Sequence, residues 1–499
     1  TPFFIHYYSE RTAKMAETYI SIEKIRSLAE VGTIDELKDS TDMNEIFAAC
    51  AIASKEHLGL IPYDEQLTAA AELTKGRITE MKTGEGKTLC AAFAASYMAK
   101  NGHNVRILTF NDYLAKRDSE WMKPIYDALG ISSACILHST DIADKKEMYK
   151  NQIVYITARE AGFDFLRDFV ANTPEDCVQT DFDFCIADEA DSMMIDEARV
   201  PLVIAGETAV KPDEKLPEVY EFVKDFDSSM YEINEELGTI YLTEKGEDKC
   251  EELITDGSGL YDEENNELLI RITDCLKACF LLKKDVDYIV KDGNIRIIDE
   301  FTGRAAENRR YPGSLQPAVE LKEGITCTSR GVIMGVVPMQ FYLRRYPLLS
   351  GMTGTAKSSE DEFWQLYDLK VTVIPTHTPC KRVDHPYEVY LTKAAKDNAI
   401  IDCIKTAHAK NQPVLVGTSS IELSEELSDR LAAEGITANV LNAKNDELEA
   451  EIIKEAGRPG AVTISANMSG RGVDIKLGGA DESQKDEAVA AGGLLILGT

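Results

Sequence analysis

The rhythm of hydrophobic and polar positions changes three times along this chain. From residue 1 to about 75, Glu, Lys, Ala and Leu dominate without strand-like alternation, which predicts helices. From residue 77, short β-branched runs alternate with amphipathic stretches. NVRILTF (104–110), SSACILH (132–138), IVYIT (153–157) and FDFCIADEAD (182–191) read as strands. Between the first two, LAKRDSEWMKPIYDALG reads as a helix closed by Gly130. Strands alternating with helices imply a doubly wound parallel sheet.

Residues 208–345 break that alternation. Acidic helical stretches such as DEKLPEVYEFVKDF give way to DYIVKDGNIRIIDE, where Asp292-Gly293 lies between two β-rich runs. An Asp-Gly pair there predicts a hairpin, because both turn residues must tolerate positive φ. This stretch reads as an inserted domain with an antiparallel element. After about 377 the βα alternation returns. PVLVGTS (413–419) leads into a helix expected to start at Ser419, with Glu422 completing a capping box. Leu423, Leu427 and Leu431 are its expected buried stripe, and Gly435 its end. NVLNA (439–443), GAVTISANM (460–468) and LLIL (494–497) follow as strands. The architecture expected is α/β: a helical N-terminal segment, then two βα lobes with an insertion in the first.

Length and composition narrow the class. At 499 residues the chain should hold roughly three domains. It contains no run of 18 apolar residues, and TPFFIHYYSERTAKMAE is no secretory leader, so a cytoplasmic chain is expected. Thr1 is not an initiator Met, and a few preceding residues are expected to be missing. The 11 cysteines are unpaired in spacing, which suits a reducing compartment; Cys275 and Cys279, four apart, lack the further ligands of a zinc site. The 86 Asp+Glu outnumber the 54 Lys+Arg, for a formal charge of −32 spread along the chain. Solubility accounts for that excess, and it argues against a nucleic-acid partner, which would call for a basic stripe.

The chemistry concentrates in two stretches. EMKTGEGKT (80–88) follows the short run RITEM and precedes the helix-prone LCAAFAASYMAK, the strand–loop–helix setting of a phosphate-binding loop. Met81, Lys82, Thr83, Gly84, Glu85 and Gly86 form the loop; Gly84 and Gly86 let main-chain N–H groups approach the phosphates at a helix N-terminus. Lys87 adds charge to the phosphates, and Thr88 offers a hydroxyl to Mg²⁺. The general pattern has Gly where this chain has Met81, so the loop alone could be a chance Gly-rich turn. About a hundred residues on, FCIADEAD ends in Asp188-Glu189-Ala190-Asp191. A strand end presenting Asp then Glu suits ATP hydrolysis, with Asp188 holding Mg²⁺ and Glu189 as general base. Such a tetrad by itself could be a solvated strand end; the loop upstream gives it meaning. Gln66, ahead of the first strand, carries an amide able to read adenine. GMTGTA (351–356) is a small-residue loop suited to couple two lobes, and SGRGVD (469–474) puts Arg471 and Asp474 on a Gly-rich turn suited to face nucleotide.

In this order the motifs resemble superfamily-two helicases, whose cores are two RecA-like lobes, and their wording resembles the SecA family of protein-export ATPases. EMKTGEGKTL, TFNDYLAKRD, FDFLRD, IDEARVPLVIAG and NMSGRGVDIKLGG carry the match, joined by DYIVKDGNIRIIDEFTGR, GMTGTA and QPVLVGTSSIE, from about residue 55 to 499. The resemblance implies a first nucleotide-binding domain over 1–207 and 346–376, a preprotein cross-linking domain over 208–345, and a truncated second nucleotide-binding domain over 377–499. It implies ATP and Mg²⁺ as cofactors and ATP hydrolysis as the activity. Gln66 would contact adenine, the loop through Thr88 the phosphates and Asp188 the metal, with Lys87 and Glu189 catalytic and Arg471 and Asp474 contributing from the second lobe. The implied partners are unfolded preproteins with signal sequences and the SecY channel, with peripheral contact at the cytoplasmic face of the cell membrane and no nucleic acid. A housekeeping SecA partner and a homodimer stay open. Val200 and Val473 stand where the housekeeping family usually has Thr, and the stretch near 40–46 looks short, which points to an accessory SecA with a restricted client set. The chain halts at GGLLILGT, where the family continues into an arginine-rich segment, so truncation is expected.

Two rival functions remain. A nucleic-acid helicase shares the core motifs, yet some 160 residues separate Asp191 from Thr353, more than a helicase normally places there. A module holding ATP as a fixed ligand has no need of the base Glu189.

Overall fold

The computed structural model describes residues 20–171, 173–179, 181–196, 198, 201–207, 213, 215–234, 239–254, 259–291, 293–298, 310–325, 331–441, 449–466 and 475–499. Asp292, Val200, Val473, Arg471 and Asp474 lie outside the described residues. The chain divides into two compact units, Thr1–Ile204 with Met334–His385, and Ala205–Ile333 with Pro386–Thr499.

The first unit is built on a seven-stranded sheet. Its strands are β1 (Ile78–Glu80), β2 (Val105–Thr109), β3 (Ser133–Cys135), β4 (Ile153–Thr157), β5 (Phe184–Asp188) and, from beyond the insertion, two more. A ribbon of β6 (Pro201–Glu207) and β11 (Gly331–Pro338) carries the chain out and back. Between them lie two antiparallel hairpins, β7 (Tyr231–Asn234) with β8 (Thr239–Leu242), and β9 (Tyr288–Lys291) with β10 (Asn294–Ile297). The chain then adds β12 (Leu348–Thr353) and β13 (Val371–Val373) to the first sheet, whose order is β13-β1-β12-β5-β2-β4-β3. Every pairing in that sheet is parallel. Phe184 and Ile186 pack into one core and Cys185 and Ala187 into the other, so the strand is buried on both faces and reads as an unbroken apolar run.

The N-terminal segment folds as helices over Ile22–Val31, Ile34–Leu37, Met43–Leu58 and Asp64–Leu73. Met43–Leu58 is apolar around most of its circumference and is buried accordingly, with Phe47 edge-on to Phe93 at 5.6 Å. Asp42 caps it by accepting from the N–H groups of Asn44 and Glu45, and Gly59 ends it in the left-handed region.

In the second unit the insertion packs the helices Leu216–Val223, Asn266–Leu276 and Leu315–Lys322 around Tyr288. The hairpin at residues 291–294 is present: Lys291 pairs with Asn294, and Gly293 takes φ +72°. The remaining strands, β14 (Val414–Thr418), β15 (Asn439–Leu441), β16 (Val462–Ala466) and β17 (Leu495–Gly498), form a parallel sheet in the order β15-β16-β14-β17. The helix after β14 corrects the expectation by one residue. Its cap is Ser420, whose hydroxyl accepts from the Leu423 N–H, and the helix runs Ile421–Ala433. Ser420 rather than Ser419 therefore sets the frame, and Glu422 falls at the second helical position, one short of the capping-box site. Ile421, Ser424, Leu427 and Leu431 are buried, while Leu423 is only half-buried.

Two contacts seat β12 in the first sheet. Gly351 has no room for a side chain: a Cβ there would lie 2.7 Å from Ala190 Cβ and 3.0 Å from Ile78 Cδ1. Glu80, buried at the end of β1, accepts from the Lys357 N–H at 2.7 Å and from Lys82 Nζ at 2.8 Å. Burial alone would raise the Glu80 carboxyl; Lys82 and the N–H groups of Lys357 and Ala356 outweigh it and hold it below its ordinary value. Replacing Gly351 by Ala should lower stability by about 1–3 kcal/mol through overpacking, read as a lower urea midpoint. A folded-state value below 4.5 means that ionised Glu80 stabilises the fold above that pH and loses its contribution as the pH falls through the depressed value. Glu80→Gln should therefore lower the urea midpoint at pH 7, and the gap from wild type should narrow below pH 4.5; a gap independent of pH would contradict this account.

Candidate functional site

The strand order brings three strand ends together. β1, β12 and β5 are neighbours and parallel, so the loops leaving their C-terminal ends share one edge of the sheet. In doubly wound sheets that edge is where ligands bind. The loops are residues 81–86, 354–357 and 189–191.

The first loop turns tightly, with the Glu85 N–H donating to the Lys82 carbonyl at 3.2 Å. Gly84 and Gly86 take φ of +88° and +83°, a region that costs other residues energy, and a Cβ on Gly86 would strike the Gln66 amide at 2.3 Å. The helix Lys87–Lys100 starts directly after, its N-terminus opening on the loop. Met81 explains the departure from the general loop pattern. Its side chain is buried, with Sδ 3.6 Å from Cys90 Sγ, and its N–H donates to the Thr353 carbonyl at 2.9 Å. That position faces the core, so Met81 can offer a ligand only its main chain. Lys82, Thr83 and Gly84 are exposed, and Glu85, Gly86, Lys87 and Thr88 half-buried. The Lys82 ammonium is engaged by Glu80 and by the Gly354 carbonyl at 3.3 Å.

The second loop is acidic. Lys87 Nζ reaches Glu189 Oε1 at 3.3 Å, which joins the two stretches singled out in the sequence. Glu189 holds φ +51°, a left-handed conformation that costs a non-glycine residue on the order of 1 kcal/mol. Its N–H donates to Asp188 Oδ1 at 3.0 Å. Burial and the neighbouring Glu189 charge push the Asp188 carboxyl up, to about 7, against the pull of Lys87. The buried Asp118 of the TFNDYLAKRD stretch adds to that upward push. A π-helical turn, Ser192–Asp196, follows.

The third loop binds the other two. The Thr355 hydroxyl donates to Asp191 Oδ2, and Glu80 accepts from main-chain N–H groups at 356–357. Gln66 is tied in as well: its Oε1 accepts from the Tyr63 N–H at 2.9 Å and its Nε2 donates to the Glu85 carbonyl at 2.8 Å. Each end of the amide has capacity for two bonds, so one N–H and one lone pair remain for a ligand.

Gln66, residues 81–88 and the acidic pair 188–189 thus converge in the first unit. Sequence reasoning missed Glu80, Asp118 and the Thr355–Asp191 bond; a charged residue in a buried β-run was the only signal for Glu80. Other marked stretches serve architecture. In FDFLRD, Asp168 accepts from the N–H groups of Val178 and Gln179, both at 2.8 Å, and Asp164 meets the buried Lys145 at 2.9 Å. Among the described residues no cluster of three His, Cys, Asp or Glu groups could hold a metal ion, and no helix is long and apolar enough to cross a membrane.

Comparison with known proteins extends across the chain. Residues 5–364 match the SecA DEAD-like domain and residues 379–495 the SecA P-loop domain. Protein translocase subunit SecA of Nitrosococcus oceani is 44% identical over 95% of this chain and 56% of its own length. Protein translocase subunit SecA 2 of Corynebacterium glutamicum is 43% identical, covering 96% of this chain and 62% of its own length. SecA 3 of Mycolicibacterium vanbaalenii is 41% identical, covering 99% and 63%. The chain therefore spans little more than half the length of these curated relatives. With a family domain covering residues 5–364 and a second domain of the same family following it, this chain belongs to the SecA family.

Proposed function

We propose that this chain is the motor region of an ATP-driven protein translocase, which couples ATP hydrolysis to export of preproteins across the cytoplasmic membrane through the SecY channel. The observation that carries this reading is the Lys87–Glu189 contact, which sets a phosphate loop beside a candidate general base at the ends of β1 and β5, the two parallel strands that flank β12. The names of its relatives, translocase subunits over nearly the whole of this chain, support the substrate class.

Lys87 and the loop N–H groups bind the β- and γ-phosphates, and Gln66 reads adenine with its remaining donor and acceptor. Glu189 polarises a water and takes its proton as the water oxygen bonds to the γ-phosphorus and the bond to the bridging oxygen breaks; ADP and phosphate leave. Asp188 and Thr88 are hard oxygen donors that fit Mg²⁺, and a cation would relieve the buried charge that Asp188 shares with Glu189. Bound there, Mg²⁺ would neutralise charge on the phosphates. Arg471 and Asp474 contribute from the second lobe.

For the preprotein, the ribbon of β6 and β11 offers a physical basis. It is two strands wide among the described residues, and Val203, Met334 and Val336 are exposed on it, with Phe341 exposed just beyond. An open strand edge binds an extended chain by main-chain hydrogen bonds, independent of sequence, which suits an unfolded client. The insertion is the preprotein cross-linking domain, and the protein works at the cytoplasmic face in peripheral contact with the membrane, as an accessory SecA for a restricted client set.

In the full-length protein, Lys87→Ala should abolish ATP binding, whereas Glu189→Gln should bind ATP and lose turnover by at least about 100-fold, read by calorimetry and phosphate release. Wild-type turnover should rise when unfolded preprotein and SecY-containing vesicles are added together. Duplex unwinding with no response to preprotein would overturn the translocase reading.

A further inference from the structure

The segment after β13 runs along the phosphate loop. The Ile374 N–H donates to the Glu80 carbonyl at 2.9 Å, and three residues on, His377 reaches the base-reading turn. The His377 ring stacks on Tyr63 with centroids 3.6 Å apart and planes at 18°. Its Nδ1 lies 3.2 Å from Glu65 Oε2, and its main-chain N–H donates to Glu85 Oε2 at 3.0 Å. Glu85 belongs to the phosphate loop, and its carbonyl accepts from Gln66, whose Oε1 in turn holds the Tyr63 N–H. The contacts close a ring: Tyr63, Gln66, Glu85, His377, and back to Tyr63.

None of the sequence motifs includes His377. Tyr63 is 46% exposed even with one ring face covered. On the loop side the turn that carries Gln66 is held, apart from His377, by the Gln66 amide bond to the Glu85 carbonyl, while its own cap and Arg26 on Asp64 at 3.0 Å hold it from the other side. We propose that His377 is a positioning residue for the base end of the nucleotide site: its ring pins the Tyr63–Gln66 turn against the phosphate loop, so that the Gln66 amide faces the purine while Lys87 faces the phosphates. This rests on the reading of Gln66 and the loop given above.

The geometry separates ring from backbone. A side-chain substitution removes the stack and the Glu65 contact and keeps the N–H bond to Glu85. The loss should therefore fall on the base and spare the phosphates. The experiment measures equilibrium binding of ATP and of inorganic tripolyphosphate, both with Mg²⁺, to wild type, His377→Ala and His377→Phe. In His377→Ala the Kd for ATP should rise roughly three- to tenfold, the range of one aromatic pair, with that for tripolyphosphate unchanged within about twofold. His377→Phe, which can stack, should restore ATP binding to within about twofold of wild type. Unchanged ATP affinity in His377→Ala, or equal weakening of both ligands that Phe does not rescue, overturns the assignment while leaving the ATPase reading intact. A wild-type protein that binds neither ligand overturns both.

Discussion

Strand β12 is held between β1 and β5 by parallel main-chain hydrogen bonds, and the whole loop-bearing edge depends on that placement. Its register sets Thr353 opposite Glu80 on one side and Met352 opposite Asp188 on the other. Three stretches far apart in sequence, residues 80–88, 188–191 and 353–357, thereby end at one level. Without β12 the phosphate loop and the acidic pair would stand on strands with nothing between them. The absent side chain at Gly351 lets the strand approach Ala190 that closely.

The same constraint explains how an insertion of well over a hundred residues is tolerated. The chain leaves the first unit after β5 and must return to fill the gap beside β5. It does so along the β6–β11 ribbon, and Leu202 and Val337 bury themselves in the core under the sheet while Val203, Met334 and Val336 stay in solvent. The ribbon is thus anchored by one face and leaves apolar side chains exposed on the other.

Carboxylates at this edge differ by their surroundings. Glu80 is surrounded by donors and stays ionised, which makes it a tether for the loop after β12. Asp191 is satisfied by Thr355 and the Ser192 N–H. Asp188 is buried beside a second carboxylate, so its charged form is disfavoured until a cation shares the site. Carboxylates thus serve as tether, as link and as candidate metal ligand, distinguished by the donors and the charges within reach.

The sequence by itself determined the parallel α/β class, most strands of both lobes and the Gly-rich turn after β1, because each rests on local signals: apolar runs, Gly spacing and an acidic strand end. It also determined the hairpin that pairs Lys291 with Asn294 and turns through Gly293. It did not show β12 or β13, and residues 351–353, read as part of a loop, are the end of β12. The helix after β14 was legible only to within one residue, since Ser419 and Ser420 carry the same hydroxyl and either could cap it; in the fold Ser420 does. Tertiary structure alone decided the rest. Met81 looks like a defect in the loop pattern until its side chain is seen in the core. The contacts of Glu80, Thr355 and His377 could not be read from the sequence, although the first two lie in marked stretches, because their partners lie 277, 164 and 292 residues away, and a bond across such a span is fixed by strand register rather than by neighbours in the chain.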